Sequence, residues 1–341
     1  MNTRPLTYAQ AIREALAQMM ERDPRVFVIG QGVWSPWYVG TSMQDLDRQF
    51  GRERVIDSPV SENATTGVGI GAALAGMRPV VIHPRVDFML LAVDQLVNEA
   101  ANWCYMFGGQ VPVPIVIRPI INRGGEQGAQ HSQALHAWFM HVPGLKVVMP
   151  ATPYDAKGLL VASILDDNPV LYVDDRWLYM ETADVPEELY SVPIGQAAVR
   201  RAGRDATVVA ISYMVKAAVE AGERLSHEGV DVEIIDVRSL KPLDDATILA
   251  SVRKTGHVVV ADSGWRTCGA AAEISARISE HAFDALRAPV ARVALPDVPA
   301  PTSRALEGVY YVGADHIAAA VRRVLHERAT HPLRGRASVP P

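Results

Sequence analysis

The amino-acid sequence predicts an α/β protein built from two parallel-sheet units. Its 341 residues exceed one ordinary domain, and at roughly 150 residues per domain they correspond to about two. Short, nearly continuous apolar runs recur along the chain, as at residues 25–30 and 207–211, and helix-like patterns lie between them. Such strands are typical of parallel sheets that helices cover on both faces. The alternation therefore predicts repeated βα units.

Composition and charge exclude several classes of function. Lys and Arg total 33 against 38 Asp and Glu, which gives a net charge of −5, so the chain offers no basic surface for nucleic acid or an anionic membrane. No stretch approaches the roughly 18 apolar residues of a membrane span. The N-terminus leads directly into a helix-like segment without a targeting sequence, which predicts a cytoplasmic protein. Cys104 and Cys268 are too few for a disulfide scaffold, and we expect two reduced, buried thiols.

In the first half, apolar periodicity predicts the elements one after another. Residues 7–22 carry Ala11, Ala15 and Met19 on one face and predict an amphipathic helix. Further strands are predicted at residues 25–30, 55–57, 79–82, 113–118, 145–149 and 170–173. Further helices are predicted at residues 64–75, 87–106 and 154–165.

Residues 174–205 interrupt this alternation with acidic residues and prolines and predict a linker or meander. A second α/β unit follows. Its strands are predicted at residues 207–211, 232–237, 257–261 and 290–293, and its helices at 215–225, 244–253, 270–278 and 314–326. We therefore expect one domain over residues 1–190, a second over 191–330, and a flexible tail over 331–341.

Residues 67–72 (GVGIGA) formally fit the G-x-G-x-x-G/A fingerprint of dinucleotide-binding folds. That fingerprint needs a strand directly before its first glycine, and here residues 58–63 lie between the strand and the glycines. The small residues at 67, 71 and 75 instead predict a helix face that packs closely on its neighbour. Walker, zinc-ligand and G-x-S-x-G motifs do not occur.

Glu62 stands between a predicted strand and the small-residue helix. Ligand sites of parallel sheets lie at the carboxyl ends of the strands, but a carboxylate at a helix start also serves for ordinary capping. From the residues alone, catalysis and capping are equally good interpretations.

The loop at residues 124–132 is glycine-rich and contains His131. One interpretation is a solvent-exposed loop in which the histidine has no functional role. The position of the loop after a strand favours a functional one, because glycines allow the backbone to approach a ligand closely.

Taken in order, many segments of the chain resemble the β subunit of the E1 component of thiamine-diphosphate-dependent 2-oxoacid dehydrogenases. They are residues 55–62 (VIDSPVSE), 71–79 (GAALAGMRP), 94–100 (DQLVNEA), 113–118 (VPIVIR), 130–133 (QHSQ), 143–148 (PGLKVV), 155–160 (DAKGLL), 237–244 (VRSLKPLD) and 272–274 (AEI). The resemblance covers roughly residues 5–328. It implies a pyrimidine-binding α/β domain followed by a transketolase C-terminal-like α/β domain.

The resemblance also implies a cofactor and a partner chain. Members of this family bind thiamine diphosphate with Mg²⁺, and an α subunit holds the diphosphate end through a G-D-G motif. This chain contains no G-D-G. An α2β2 heterotetramer, with a lipoyl-bearing E2 protein as a possible further partner, is therefore implied.

The resemblance assigns roles to individual residues. Glu62 matches the glutamate that hydrogen-bonds the aminopyrimidine ring and favours its imino tautomer, and His131 matches a histidine of the active-site channel. With this family context, catalysis by Glu62 is favoured over capping. Four further positions match those at which relatives bind a structural K⁺, largely through backbone carbonyls. They are Ile115, Ser163, Asp166 and Asn168.

The chain departs from the family at positions that face the cofactor. Gln31 and Ile82 stand where relatives have carboxylates, and His83 and Val86 stand where they have aromatic residues. Arg85 adds a cationic group nearby. With Glu62 and Phe88, we expect Gln31, His83 and Val86 to line the cofactor. Either the site is adapted to a different, anionic or hydroxylated substrate, which is our hypothesis, or these changes are neutral.

These observations predict a β subunit that takes part in decarboxylating a 2-oxo acid and passing the acyl unit to lipoyl-E2. One alternative is a two-chain transketolase-like transferase with an aldehyde or sugar acceptor. A second alternative is a catalytically silent scaffold of the same fold.

Overall fold

The computed structural model describes residues 2–326, so the tail predicted at 331–341 lies outside the described residues. The strands are β1 (Thr3–Thr7), β2 (Val26–Gly30), β3 (Val55–Asp57), β4 (Arg78–His83), β5 (Val116–Ile121), β6 (Lys146–Val148), β7 (Val170–Tyr172), β8 (Asp174–Asp175), β9 (Thr182–Pro186), β10 (Ala198–Arg201), β11 (Ala206–Ala210), β12 (Val232–Asp236), β13 (Ser239–Lys241), β14 (Val258–Trp265) and β15 (Ala291–Leu295). The helices are α1 (Tyr8–Arg22), α2 (Pro36–Val39), α3 (Leu46–Phe50), α4 (Glu62–Leu74), α5 (Val86–Met89), α6 (Ala101–Met106), α7 (His136–Met140), α8 (Pro153–Leu165), α9 (Tyr213–Ser226), α10 (Asp245–Thr255), α11 (Ala270–Ala282), α12 (Arg304–Tyr310) and α13 (Ala314–His326).

The first sheet has the strand order β13-β6-β7-β5-β4-β2-β3, and β8 continues beside β5. Its strands are parallel except β13, which comes from the second half of the chain and runs antiparallel to β6. Every residue of β2 and β5 is buried, as expected for strands that helices cover on both faces. The predicted parallel α/β architecture of the first half is confirmed.

Helices α1 and α4 show how the sequence forms this covering layer. Thr7 caps α1 in a reciprocal capping box with Gln10. In α4, a Cβ on Gly69 would lie 2.5 Å from Cγ2 of Val81 on β4, so only glycine allows this approach. The expectation of close packing at 67, 71 and 75 is therefore wrong in its positions. An added Cβ on Gly71 would meet nothing within 4 Å, because that position points away from the sheet.

The second sheet has the order β10-β12-β11-β14-β15 and is parallel except for β10. Helices α9 and α13 pack together on one face. Helices α10 and α11 cover the other face, and their buried side chains belong to the same hydrophobic cluster as residues of β4, β5 and β6. The two sheets therefore share a continuous core.

Three predictions from the sequence fail locally. The helix predicted over residues 87–106 is broken into α5, a 3₁₀ turn, a π-helical segment (Gln95–Ala100) and α6. Residues 174–205 form neither a plain linker nor a meander of successive paired strands, because β9 pairs with β1 and β10 with β12. The cysteines are free as expected, but Cys268 is exposed and Cys104 only partly buried.

The helices formed by residues 2–326 do not include one that combines the length and apolar character needed to cross a membrane.

Candidate active site

The carboxyl ends of four adjacent strands surround one cavity of about 290 Å³. These strands, in the order β5-β4-β2-β3, are parallel, so the residues that follow them meet at one edge of the sheet. The lining residues are Gln31, Trp37, Tyr38, Ser58, Pro59, Ser61, Glu62, Thr65, Ile82, His83, Pro84, Arg85, Phe88 and His131. Five of the residues predicted from the sequence, from four separate segments, are thus brought together.

Glu62 is the first residue of α4, and its neighbour Ser61 makes no side-chain cap bond. The residue is only 8% exposed, yet its carboxylate has no hydrogen-bond or ion-pair partner among residues 2–326. Its position at the helix N-terminus places it where the helix dipole favours negative charge. The carboxylate is therefore held by the fold but left free to bind a ligand in the cavity.

His83 ends β4 and is 2% exposed. Its Nε2 lies 3.1 Å from Oγ1 of Thr66 on α4. Burial lowers the pKa of His83 to about 4, because a charged imidazolium would be poorly solvated there. His83 is therefore neutral at physiological pH and brings a polar ring, rather than a charge, to the cavity.

His131 packs edge-on against Phe88, with ring centroids 5.2 Å apart and an interplanar angle of 89°. The following segment is fixed by Asp87, whose Oδ1 accepts hydrogen bonds from the backbone N–H of Gln133 at 3.1 Å and from its Nε2 at 2.9 Å. Burial raises the pKa of Asp87. These contacts tie the histidine loop to the segment that follows β4.

The histidine loop is also attached to the second half of the chain. The backbone N–H of Gly124 donates to the hydroxyl of Tyr311 at 3.2 Å, and that of Glu126 donates to Oε1 of Glu307 at 3.0 Å. Glu307 lies on α12 and is buried. No sequence motif marks these anchors, because they depend on how α12 packs against the first unit.

Val86 lies apart from the other predicted cofactor-lining residues. It is fully buried and packs in the hydrophobic cluster beneath the cavity rather than lining it. The register explains this difference, since α5 begins at Val86 and turns that side chain toward the core. Its neighbours Arg85 and Phe88 reach the cavity instead. Trp37 and Tyr38 also line the cavity.

The four residues predicted to bind K⁺ lie around one corner of the first sheet. Ser163 is in the last turn of α8, and Asp166 is the C-cap of that helix. The carbonyl of Ile115 accepts a hydrogen bond from Val170 N at 3.0 Å, and Asn168 N donates to Oδ1 of Asp166 at 2.9 Å. Two cationic side chains also reach this corner. Arg78 donates to the carbonyl of Asp166 at 3.1 Å and Lys146 to its carboxylate at 2.5 Å. Cation binding here stays a prediction.

The chemistry of the cavity fits an aromatic heterocycle that carries hydrogen-bonding nitrogens. Glu62 supplies an unpaired carboxylate for such a nitrogen. Ile82, Pro84 and Phe88 supply apolar surface for the faces of a ring. Cationic groups for a diphosphate are scarce, since Arg85 is the only Lys or Arg among the lining residues within the part of the chain that the structure describes.

Two protein families match the chain. Residues 4–181 match the transketolase pyrimidine binding domain, and residues 195–317 match the transketolase C-terminal domain. Among solved structures, one described as a split gene transketolase, inactive beta4 tetramer, aligns with a TM-score of 0.76 and 23% sequence identity. That alignment covers 94% of this chain and 98% of the other chain. At this level of identity the likeness shows the fold.

Two further proteins are considerably more similar to the chain in sequence. The chain is 42% identical over 333 residues to the acetoin:2,6-dichlorophenolindophenol oxidoreductase subunit beta of Cupriavidus necator, which covers 94% of this chain and 98% of that protein. It is 40% identical over 323 residues to the pyruvate dehydrogenase E1 component subunit beta of Rhizobium meliloti, which covers 94% of this chain and 70% of that protein.

Proposed function

Because the chain belongs to the family of 2-oxoacid dehydrogenase E1 β subunits, with their transketolase pyrimidine-binding and C-terminal domains, we propose that it is the β subunit of a thiamine-diphosphate enzyme that decarboxylates a 2-oxo acid. The observation that carries this proposal is the buried, unpaired carboxylate of Glu62 at the first turn of α4, facing a cavity at the carboxyl ends of four parallel strands.

Thiamine diphosphate, when bound, supplies the carbon nucleophile and the electron sink that decarboxylation of a 2-oxo acid requires. Glu62 would hold the aminopyrimidine by a hydrogen bond to a ring nitrogen. A carboxyl group in that position can share its proton with the ring and so favour the imino tautomer. Gln31, His83 and Phe88 would line the same ring. As a neutral imidazole, His83 adds no positive charge that would compete for the Glu62 carboxylate.

His131 would act on the substrate side of the cavity. Its ring is held by edge contact with Phe88, and its backbone is held between Asp87 and the anchors on α12. A histidine in this position can orient the substrate by hydrogen bonding or move a proton at the oxygen of the reacting carbonyl.

The charged end of the cofactor requires a second chain. A diphosphate with its Mg²⁺ would be held by an α-like subunit, since this chain lacks both the G-D-G motif and a cluster of cationic lining residues. We accordingly propose an α2β2 heterotetramer that passes its acyl unit to a lipoyl-bearing protein in the cytoplasm.

Within this chain we divide the domains at residue 190. A K⁺ at the Ile115–Asn168 corner would show itself as a higher melting temperature in KCl than in choline chloride.

The names of the relatives favour the dehydrogenase prediction over the other two. The relatives from Cupriavidus necator and Rhizobium meliloti are both named as subunits of oxidoreductases. The retained Glu62 and His131 argue against a silent scaffold.

The test uses the chain assembled with its α-like partner. Decarboxylation of a panel of 2-oxo acids is followed by reduction of a dye, with and without thiamine diphosphate and Mg²⁺. Glu62→Gln should lower kcat at least about 100-fold, while native mass spectrometry shows the assembly intact. Glu21→Gln, the same change at an exposed carboxylate, is the matched control and should leave kcat unchanged.

Three outcomes would contradict the proposal. Turnover by Glu62→Gln within twofold of the wild type would show that this carboxylate is only a helix-terminal charge. Transfer of a ketol unit to an aldehyde acceptor, without dye reduction, would identify the transferase. An intact assembly that neither binds the cofactor nor turns over any 2-oxo acid would identify the scaffold.

A further inference from the structure

The wall of the cavity carries a cation without a carboxylate partner. Arg85 follows β4 by two residues and is about half-buried. Its guanidinium donates to the carbonyl of Pro84 at 3.0 Å and to Oε1 of Gln127 at 3.2 Å. Its Nε is buried and has no hydrogen-bond partner. Both acceptors are neutral, so the hydrogen bonds that Arg85 makes within the part of the chain that the structure describes do not include one to a carboxylate.

Other buried arginines near this edge of the sheet are balanced. Arg118 pairs with Asp174 at 2.9 Å, both side chains being fully buried, and Arg123 pairs with Asp175. This difference matters because a desolvated charge is costly unless it is paired. Arg118 and Arg123 are thus paired with carboxylates, whereas Arg85 in the cavity wall donates hydrogen bonds only to neutral acceptors.

A second arginine lies near Arg85 and favours the binding of an anion there. Arg176 lies close enough to act with burial in lowering the pKa of Arg85. Arg176 itself donates to neutral acceptors, namely Oδ1 of Asn122 at 3.0 Å and the carbonyl of Tyr38 at 3.0 Å. Asp87 acts on the pKa of Arg85 in the opposite sense; its Oδ1 accepts hydrogen bonds from Gln133, whereas its Oδ2 is buried and makes no hydrogen bond to Arg85. Arginines remain charged at neutral pH, so Arg85 and Arg176 bring two positive charges to this side of the cavity against the one carboxylate of Asp87.

We propose that Arg85 is a specificity-determining residue that binds a second carboxylate of the substrate, so that the enzyme prefers dicarboxylic 2-oxo acids. This inference rests on the proposed function. A guanidinium with a free N–H suits a carboxylate, which it can bind through charge-assisted hydrogen bonds. The second carboxylate is the one remote from the oxo group and is retained in the acyl unit. The carboxylate next to the oxo group leaves as CO₂.

The experiment compares substrates that differ only in this group. The assembled α/β complex with thiamine diphosphate and Mg²⁺ is given 2-oxoglutarate or 2-oxovalerate, which share a five-carbon backbone, and then oxaloacetate or 2-oxobutyrate, which share four carbons. The variants are Arg85→Gln, which removes the charge, and Arg85→Lys, which keeps it. Arg48→Gln, at an arginine whose side chain is 82% exposed, is the matched control.

The wild type should prefer the dicarboxylic member of at least one pair. Arg85→Gln should lower kcat/KM for that substrate about 10- to 100-fold, the range expected for loss of a charge-assisted bond, and leave the monocarboxylic member within twofold. Arg85→Lys should fall between. The effect should appear mainly in KM, because the contact is present in the ground state as well as in the transition state.

Several results would overturn the inference. Equal losses for both members of a pair would mean that Arg85 contacts the carboxylate shared by all 2-oxo acids. Dissociation of the Arg85→Gln complex in native mass spectrometry would mean that Arg85 pairs with a carboxylate of the partner chain. A wild type without preference for either dicarboxylic acid would refute it directly.

A binding measurement separates this inference from the proposed function. In the Glu62→Gln background, 2-oxoglutarate and 2-oxovalerate are titrated into the complex by calorimetry. If 2-oxoglutarate binds more tightly than 2-oxovalerate, and Arg85→Gln abolishes this difference, the role of Arg85 is supported even if no 2-oxo acid is turned over. Binding that is equal for the two acids would refute that role even if decarboxylation were confirmed.

Discussion

Glu307→Ala should release the loop that carries His131, although residue 307 is distant from it in the sequence. Oε1 of Glu307 accepts the backbone N–H of Glu126 at 3.0 Å from a buried position on α12. A hydrogen bond to a charged acceptor contributes about 1.5–3 kcal/mol. Since 1.4 kcal/mol is tenfold in an equilibrium constant, the constant for opening of the loop should rise roughly 10- to 150-fold.

Hydrogen–deuterium exchange measures this opening directly, since amides exchange through local opening. Peptides that cover residues 124–131 should lose protection by the same factor, whereas peptides from β4 and β5 should not change. Glu307→Gln, which keeps a carbonyl acceptor, should have a smaller effect. The exposed pair between Arg304 and Glu126, at 3.5 Å, should contribute little. Unchanged exchange of the loop in Glu307→Ala, with α12 intact, would refute the anchoring role.

The remaining predictions concern buried charges. Asp174→Asn leaves the fully buried Arg118 without its counter-ion and should lower the free energy of unfolding by about 3–5 kcal/mol in urea titrations; a loss below about 1 kcal/mol would contradict this. Burial lowers the pKa of His83 to about 4, so the unfolded chain binds the proton more readily, and stability should fall by about 3 kcal/mol as the pH drops from about 6.5 to 4. His83→Phe should flatten that part of the stability curve, and an unchanged slope would exclude His83 as its source. For Asp262, burial opposes ionisation, but the charge and hydrogen bond of His136 at 2.9 Å prevail and lower its pKa. The stability that Asp262 contributes to the folded chain is present above pH about 4 and is lost as the pH falls toward the lower pKa of the folded state. The free energy of unfolding of Asp262→Asn should therefore depend less on pH in that range than that of the wild type.

The sequence was sufficient to predict the layers of the fold because burial on both faces imposes a readable pattern. The strands at β2, β4 and β11 are continuous apolar runs, and these were placed within about two residues. The helix predicted over residues 87–106 failed for a related reason. Apolar periodicity there is compatible with α-, 3₁₀- and π-helical turns, and packing against α4 decides between them.

The candidate site was predicted in part. Glu62 and His131 stand in short motifs that follow strands, so their chemistry and order along the chain were visible. The placement of Val86 was not, since a shift of one residue decides whether a side chain after β4 faces the cavity or the core. Tyr38 and the anchors on α12 belong to no motif and come from segments that only folding brings close.

By itself, the sequence determined the α/β class, the family and the residue types available for chemistry, because these depend on local pattern and on order along the chain. The tertiary structure decided which of these residues share a cavity and which charges remain unbalanced within it. Arg85 illustrates the difference. The sequence indicated only a cationic group near the cofactor, whereas the fold places it in the cavity wall, where its hydrogen-bond acceptors within the described residues are neutral. Charge balance is set by distances of a few ångströms in a poorly solvated environment, and only the packed chain defines those distances.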